Sequence, residues 1–136
     1  MSEDLTPNFG SSDAAYRWLI DQLADFARVD DAADRIRKNG HLERLNDQDL
    51  PLEPEEARRK EFMLSLNADQ REAIVSVLSV CRQEVAHSVA TFLDERMTLN
   101  EMQVSINGVE LGESPYVSYH FDLICRLEGD EWPDQG

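Results

Sequence analysis

Apolar positions recur at helical spacing through the first hundred residues and at strand spacing afterwards. Tyr16, Leu19, Ile20, Leu23 and Ala27 form one apolar stripe, which predicts a helix from 12 to about 28. Ser12 is its expected N-cap, and Asp13 suits the positive end of the helix dipole. Asp30 and Asp31 read as a break and a new start. A short helix to about 38 then presents Ala33 and Ile36 and stops at Asn39-Gly40. Positions 41–53 read as a loop, with Leu42, Leu45, Leu50 and Leu52 lying against the body. Pro54, followed by Glu55 and Glu56, opens a third helix to about 64.

Asn67 and Gln70 have capping-box spacing. They start the longest predicted helix, which ends between 96 and 99. Ile74, Val77, Leu78, Cys81, Val85, Ser88, Val89 and Phe92 follow its 3.6-residue period and read as its packing face. Beyond it the period drops to two. Met102, Val104 and Ile106 alternate with polar residues, and Asn107-Gly108 is a strong type I′ hairpin signal. Such a turn sets Ile106 opposite Val109 and Val104 opposite Leu111. After a turn at 112–115, a third strand is expected. Val117, Tyr119, Phe121, Leu123 and Cys125 lie on one face of it, and Tyr116, Ser118, His120, Asp122, Ile124 and Arg126 on the other. The expected class is therefore α+β. Helices pack on one face of a C-terminal three-stranded antiparallel sheet, with a loose tail over 1–11 and a single domain over 12–136.

Composition narrows the function classes. Twenty-eight acids against thirteen bases give a net charge of −15 in 136 residues. That charge disfavours nucleic acid and anionic membrane surfaces as partners and would steer a basic protein toward the chain. Cys81 and Cys125 sit in apolar runs and read as small buried hydrophobes rather than a disulfide framework. The start lacks a basic then apolar leader, and no run reaches membrane-spanning length, so a cytoplasmic setting is expected.

Three clusters are candidates for chemistry or binding. Glu84-x-x-His87 has the i, i+3 spacing of helix-bundle metal sites, but no second copy of the motif exists, and the pair also reads as the polar edge of a helix. On the expected third strand, Ser118, His120, Asp122 and Arg126 share a face. There Asp122 would orient His120 as a general base, with Ser118 as the nearest hydroxyl. The same residues also read as the solvent side of a half-buried sheet. In the tail, Trp132 among Asp130 and Glu131 reads as a core seal or, with Tyr116, as a partner anchor. No glycine-rich phosphate loop, nucleophile elbow, zincin motif or C-x-x-C is present, and no cofactor is expected.

Phe121, Asp122, Arg126, Gly129, Asp130, Trp132 and Pro133, with Gln70-Arg71-Glu72 earlier, resemble an uncharacterised family of small bacterial proteins that ends in F-D-x-x-x-R-x-x-G-D-x-W-P. The resemblance covers about the last half of the chain. It implies a bacterial origin and a single domain, and brings no activity or catalytic residue. It also draws attention to Arg126, placed to pair with Asp122 or Asp130. Three readings of function follow: an acidic interaction or regulatory module for a basic protein, a homo-oligomer joined through Tyr116 and Ile124 of the polar strand face, and a small-ligand binder or enzyme around His120 and Asp122.

Overall fold

The computed structural model describes residues 9–29, 31–44 and 50–133. The expectations for the tail up to position 8, for Asp30, for 45–49 and for the last three positions lie outside the described residues. The elements in chain order are α1 (Ser12–Arg28), α2 (Asp31–Asn39), α3 (Pro54–Leu64), α4 (Ala68–Thr98), β1 (Val104–Ile106), β2 (Val109–Leu111) and α5 (Tyr119–Leu127). The class is α+β, with helices in the N-terminal part and a two-stranded antiparallel sheet toward the C-terminus.

Local chemistry explains most of these boundaries. Asn67 and Gln70 exchange side-chain-to-backbone hydrogen bonds, each 2.9 Å, and so start α4 with a reciprocal capping box. At its other end Asn100 takes φ +56°, and the Glu101 amide reaches back to the Arg96 carbonyl at 2.9 Å. Gly40, at φ +79°, ends α2. The hairpin has the register that the alternation implies, Ile106 opposite Val109 and Val104 opposite Leu111. Its turn places Asn107 at φ +52° and Gly108 at φ +81°.

The expected third strand is a helix. Ser118, in extended conformation, caps α5 by accepting the Phe121 amide at 3.2 Å. Gly129 closes it at φ +89°. The Asp130 amide bonds to the Cys125 carbonyl at 2.9 Å and the Gly129 amide to that of Arg126 at 3.2 Å, which together make a Schellman motif. The buried residues Tyr119, Asp122 and Leu123 stand at i, i+3 and i+4. The alternation in 116–126 is real, but the same letters also carry a helical stripe, and the two caps decide between them. The two-sided strand on which the polar face was drawn is therefore absent from the described residues, and the sheet has two strands rather than three.

The chain divides into two compact units, residues 1–27 with 83–136, and residues 28–82. In the first, a core of Ala15, Tyr16, Ile20, Ala24, Ala27, Ala86, Ala90, Met97, Leu111, Tyr119, Leu123 and Trp132 is flanked by Phe9, Leu93 and the hairpin residues. Phe9 packs its ring 5.5 Å from that of Trp18. In the second, Ala33, Ile36, Met63 and Val75 form the core, with Leu42, Leu66, Ile74 and Leu78 against it.

Two expectations about side-chain placement are corrected. Within the first unit α4 buries the small residues Ala86 and Ala90, which allow close helix approach, while Val85, Val89 and Phe92 of the expected packing face are exposed. Cys81 is exposed and Cys125 half-buried, and both are free thiols. A long helix whose apolar residues are spread around its circumference offers several stripes, and tertiary packing selects one of them.

The glycine at the end of α5 provides a test. Gly129→Ala meets no neighbouring atom, so its cost is the left-handed backbone alone, about 1 kcal/mol. Gly112→Ala is equally uncrowded, takes no positive φ, and is expected to be close to neutral. Urea unfolding of the two variants checks the difference.

Candidate functional site

Asp122 is the polar centre of the first unit. It is 5% exposed. Its carboxylate accepts hydrogen bonds from the Tyr16 hydroxyl, from Ser114 Oγ at 2.5 Å and from the Val117 amide at 3.4 Å. α1 supplies the phenol, and the segment between β2 and α5 supplies the other two donors. Ser114 Oγ is itself fixed by the Tyr116 amide at 2.9 Å. A buried carboxylate is tolerated when donors replace its lost water, and these three do so.

The phenols respond to the same environment. Burial, and then the hydrogen bond to Asp122, push the Tyr16 phenol far above its ordinary range, because a phenolate there would lose that bond and face the carboxylate. Burial, with the Asp94 charge second, pushes the Tyr119 phenol up to about 12. Tyr119 Oη donates to the Gly112 carbonyl at 2.6 Å, and its backbone amide donates to Asp94 Oδ1 at 3.2 Å.

A second cluster closes the tail onto α1. Arg126 Nε donates to Asp21 Oδ1 at 2.7 Å and Nη1 to the Asp130 carbonyl at 2.7 Å. Its guanidinium lies 5.0 Å from the Trp132 ring centre. Trp132 Nε1 donates to the other oxygen of Asp21 at 3.3 Å, and its ring stacks on Tyr116 at 5.0 Å. The carboxylate partner of Arg126 expected at Asp122 or Asp130 is thus supplied by Asp21, while Asp130 contributes its carbonyl. Trp132, 5% exposed, seals the core, so its ring is not an exposed anchor for a partner.

The residues proposed for catalysis are held by structure. Ser118 Oγ caps α5 and lies 3.5 Å from His120 Nε2. His120 Nδ1 is buried with no hydrogen-bond partner among the described residues, and Asp122, two positions along the helix, is engaged by Tyr16 and Ser114. His120 instead meets His87 of α4, ring centres 5.6 Å apart and planes at 82°. Glu84 and His87 line a groove of about 260 Å³ with Ile124, Leu127 and Glu128. No group of three or more His, Cys, Asp or Glu side chains among the described residues is placed to hold a metal ion. A cleft of about 170 Å³ adjoins Asp122, Cys125, Arg126 and Trp132. There burial, followed by the charge of Asp130, pushes the Cys125 thiol up, away from the thiolate that nucleophilic chemistry needs.

A family profile matches residues 11–134, and its description is a family of unknown function, DUF6547. The chain belongs to this family. No match is found among the curated proteins or among the solved structures. In this DUF6547 chain the residues of the terminal motif have structural tasks: Asp122 gathers donors, Arg126 and Trp132 clasp Asp21, and Gly129 turns the chain. Sequence reasoning missed Tyr16, Ser114 and Asp21 as their partners. Tyr16 was legible only as an apolar stripe position, and no local signal links it to a carboxylate 106 positions away.

The phenols set a pH dependence. Both folded-state values lie above the ordinary value of 10.0, so their stabilising contribution is complete below about pH 10 and falls as pH rises past it. Unfolding free energy is expected to drop there by up to about 1.4 kcal/mol per pH unit for each phenol. Tyr16→Phe is expected to make that drop shallower. Denaturant titrations between pH 8 and pH 12 check both, and an unchanged profile in the variant would remove Tyr16 from the account.

Proposed function

We propose that this protein is a non-catalytic docking module whose partner is a basic amphipathic segment. The observation that carries the proposal is the exposed apolar stripe on α4. Val85, Val89 and Phe92 are 54%, 41% and 53% exposed, and with Glu84 and Ser88 they line a shallow groove of about 390 Å³. Side chains of this size left at the surface of one helix face mark interaction sites. Arg96 lies 5.5 Å from the Phe92 ring centre, and its charge is balanced by Glu101. Glu84 on the stripe and the net charge of −15 favour a partner with Lys or Arg beside its own apolar face.

Several observations support a binding rather than a chemical role. The hydroxyls near His120 are committed to caps and to the Asp122 network, and burial pushes the Cys125 thiol up, away from the thiolate. The earlier expectation of a site on a polar strand face falls with that strand, and Tyr116 and Trp132 stack on each other. A bacterial, cytoplasmic setting belongs to the same reading, supported by the terminal motif and the two free thiols. None of the helices is long and apolar enough to cross a membrane, among the described residues.

The test is an isotope-labelled NMR titration with a synthetic Leu/Lys amphipathic helix at low and high salt. Shifts centred on 84–92 are expected, with affinity falling as salt rises. Val89→Glu, at an exposed position, is expected to weaken binding by about tenfold. Binding indifferent to both salt and the substitution would contradict the proposal. A concentration-dependent dimer that Val89→Glu dissolves would replace the basic partner with a second copy.

A further inference from the structure

A cavity larger than the α4 groove lies in the other unit, which the docking reading does not use. We infer that residues 28–82 hold a binding site for a small amphipathic anion, a molecule with an apolar chain or ring body and one carboxylate or sulfonate. The cavity measures about 760 Å³ and is lined by Leu42, Phe62, Met63 and Ile74, with Glu43, Arg58 and Arg59 as its charged residues. That volume lies within the usual range for small-molecule sites, and an apolar lining with a few charged groups is their usual chemistry.

The apolar lining has a clear origin. Met63, 8% exposed, belongs to the core of this unit, and Leu42 and Ile74 pack against that core. Phe62, one position along α3, stays 57% exposed. A phenyl ring left in water beside an open apolar cavity gains burial when a ligand body lies against it.

The charges select an anion. The three charged lining residues sum to one positive charge, in a chain whose overall charge is −15. Glu43 is already neutralised, because Arg59 grips it through Nε at 2.7 Å and Nη2 at 3.2 Å. This pair holds the Glu43 carboxyl below its ordinary range, with the hydrogen bond from Arg59 the main cause. Arg58 has a looser hold. Its Nη1 stands 3.7 Å from Glu55, and both side chains are about three-quarters exposed, an arrangement that contributes little and is readily exchanged. Arg58 is therefore the cation available to a ligand's head group, with Arg59 and Glu43 as a fixed wall beside it.

A matched pair of fluorescent probes tests this on the full chain. 1-Anilinonaphthalene-8-sulfonate has an aromatic body and one negative charge, and N-phenyl-1-naphthylamine has nearly the same body without it. The sulfonate is expected to bind at a single saturable site, more tightly than the neutral probe. Arg58→Ala is expected to weaken the sulfonate about tenfold and the neutral probe less than about twofold. Phe62→Ala is expected to weaken both. Both positions are exposed, and circular dichroism confirms that the variants remain folded. Val89→Glu, on the α4 stripe, is expected to change neither probe, so this test can fail without the docking proposal failing. Absence of a saturable site would overturn the inference. So would binding unaffected by Phe62→Ala, or an equal loss of both probes in Arg58→Ala. A dimer seen in sedimentation and dissolved by Phe62→Ala would assign the cavity to a second copy instead.

Discussion

The buried carboxylate of Asp122 is the constraint around which the first unit is arranged. An ionised group nearly withdrawn from water must find donors, and here they come from the two sides that enclose it: Tyr16 on α1, and Ser114 with the Val117 amide ahead of α5. Satisfying Asp122 fixes the rotation of α5, because Tyr119 and Leu123 then turn into the core on the same face. It also positions Arg126, one helical turn further, to reach Asp21. The Trp132 ring can close over that pair only after Gly129 reverses the chain. The terminal motif is one connected arrangement, in which each polar residue answers a need created by another.

That arrangement changes how the chemistry-bearing residues are read. His120, Asp122 and Arg126 come close together in sequence, yet each faces a different partner: His87, Tyr16 and Asp21. The two surfaces proposed for recognition are instead built mainly on exposed apolar side chains. Each unit has its own such feature, the valine and phenylalanine stripe of α4 in one and the cavity beside Phe62 in the other. The two differ in character. One is a shallow, acidic-edged helix face, and the other is a larger cavity bordered by the loosely paired guanidinium of Arg58.

The parts of the fold legible in the sequence are those that local chemistry decides. Pro54 followed by two acids, the Asn67–Gln70 box and Asn107-Gly108 each specify a boundary within a few residues, and the structure has each of them. α5 was misread because 116–126 carries a two-residue and a helical pattern at once. Of the deciding signals, Ser118 lies inside that window, where it reads equally as a strand position, and Gly129, the stop, lies just beyond it. The faces of α4 were misread for a related reason: large valines suggested burial, while the packed face uses Ala86 and Ala90. The α1 partners of Asp122 and Arg126, Tyr16 and Asp21, lie more than a hundred positions away, and spacing carries no information at that range. The cavity beside Phe62 depends on Leu42 meeting α3 and α4, which no motif announces.

The most direct test of this account is a double-mutant cycle on the central hydrogen bond. Unfolding free energies are measured for the parent, Tyr16→Phe, Asp122→Asn and the double variant. The account predicts a coupling of about 2 kcal/mol, as befits a buried hydrogen bond to a charged acceptor. A coupling near zero would show that the phenol and the carboxylate act independently, and would contradict the view that the unit is organised around Asp122.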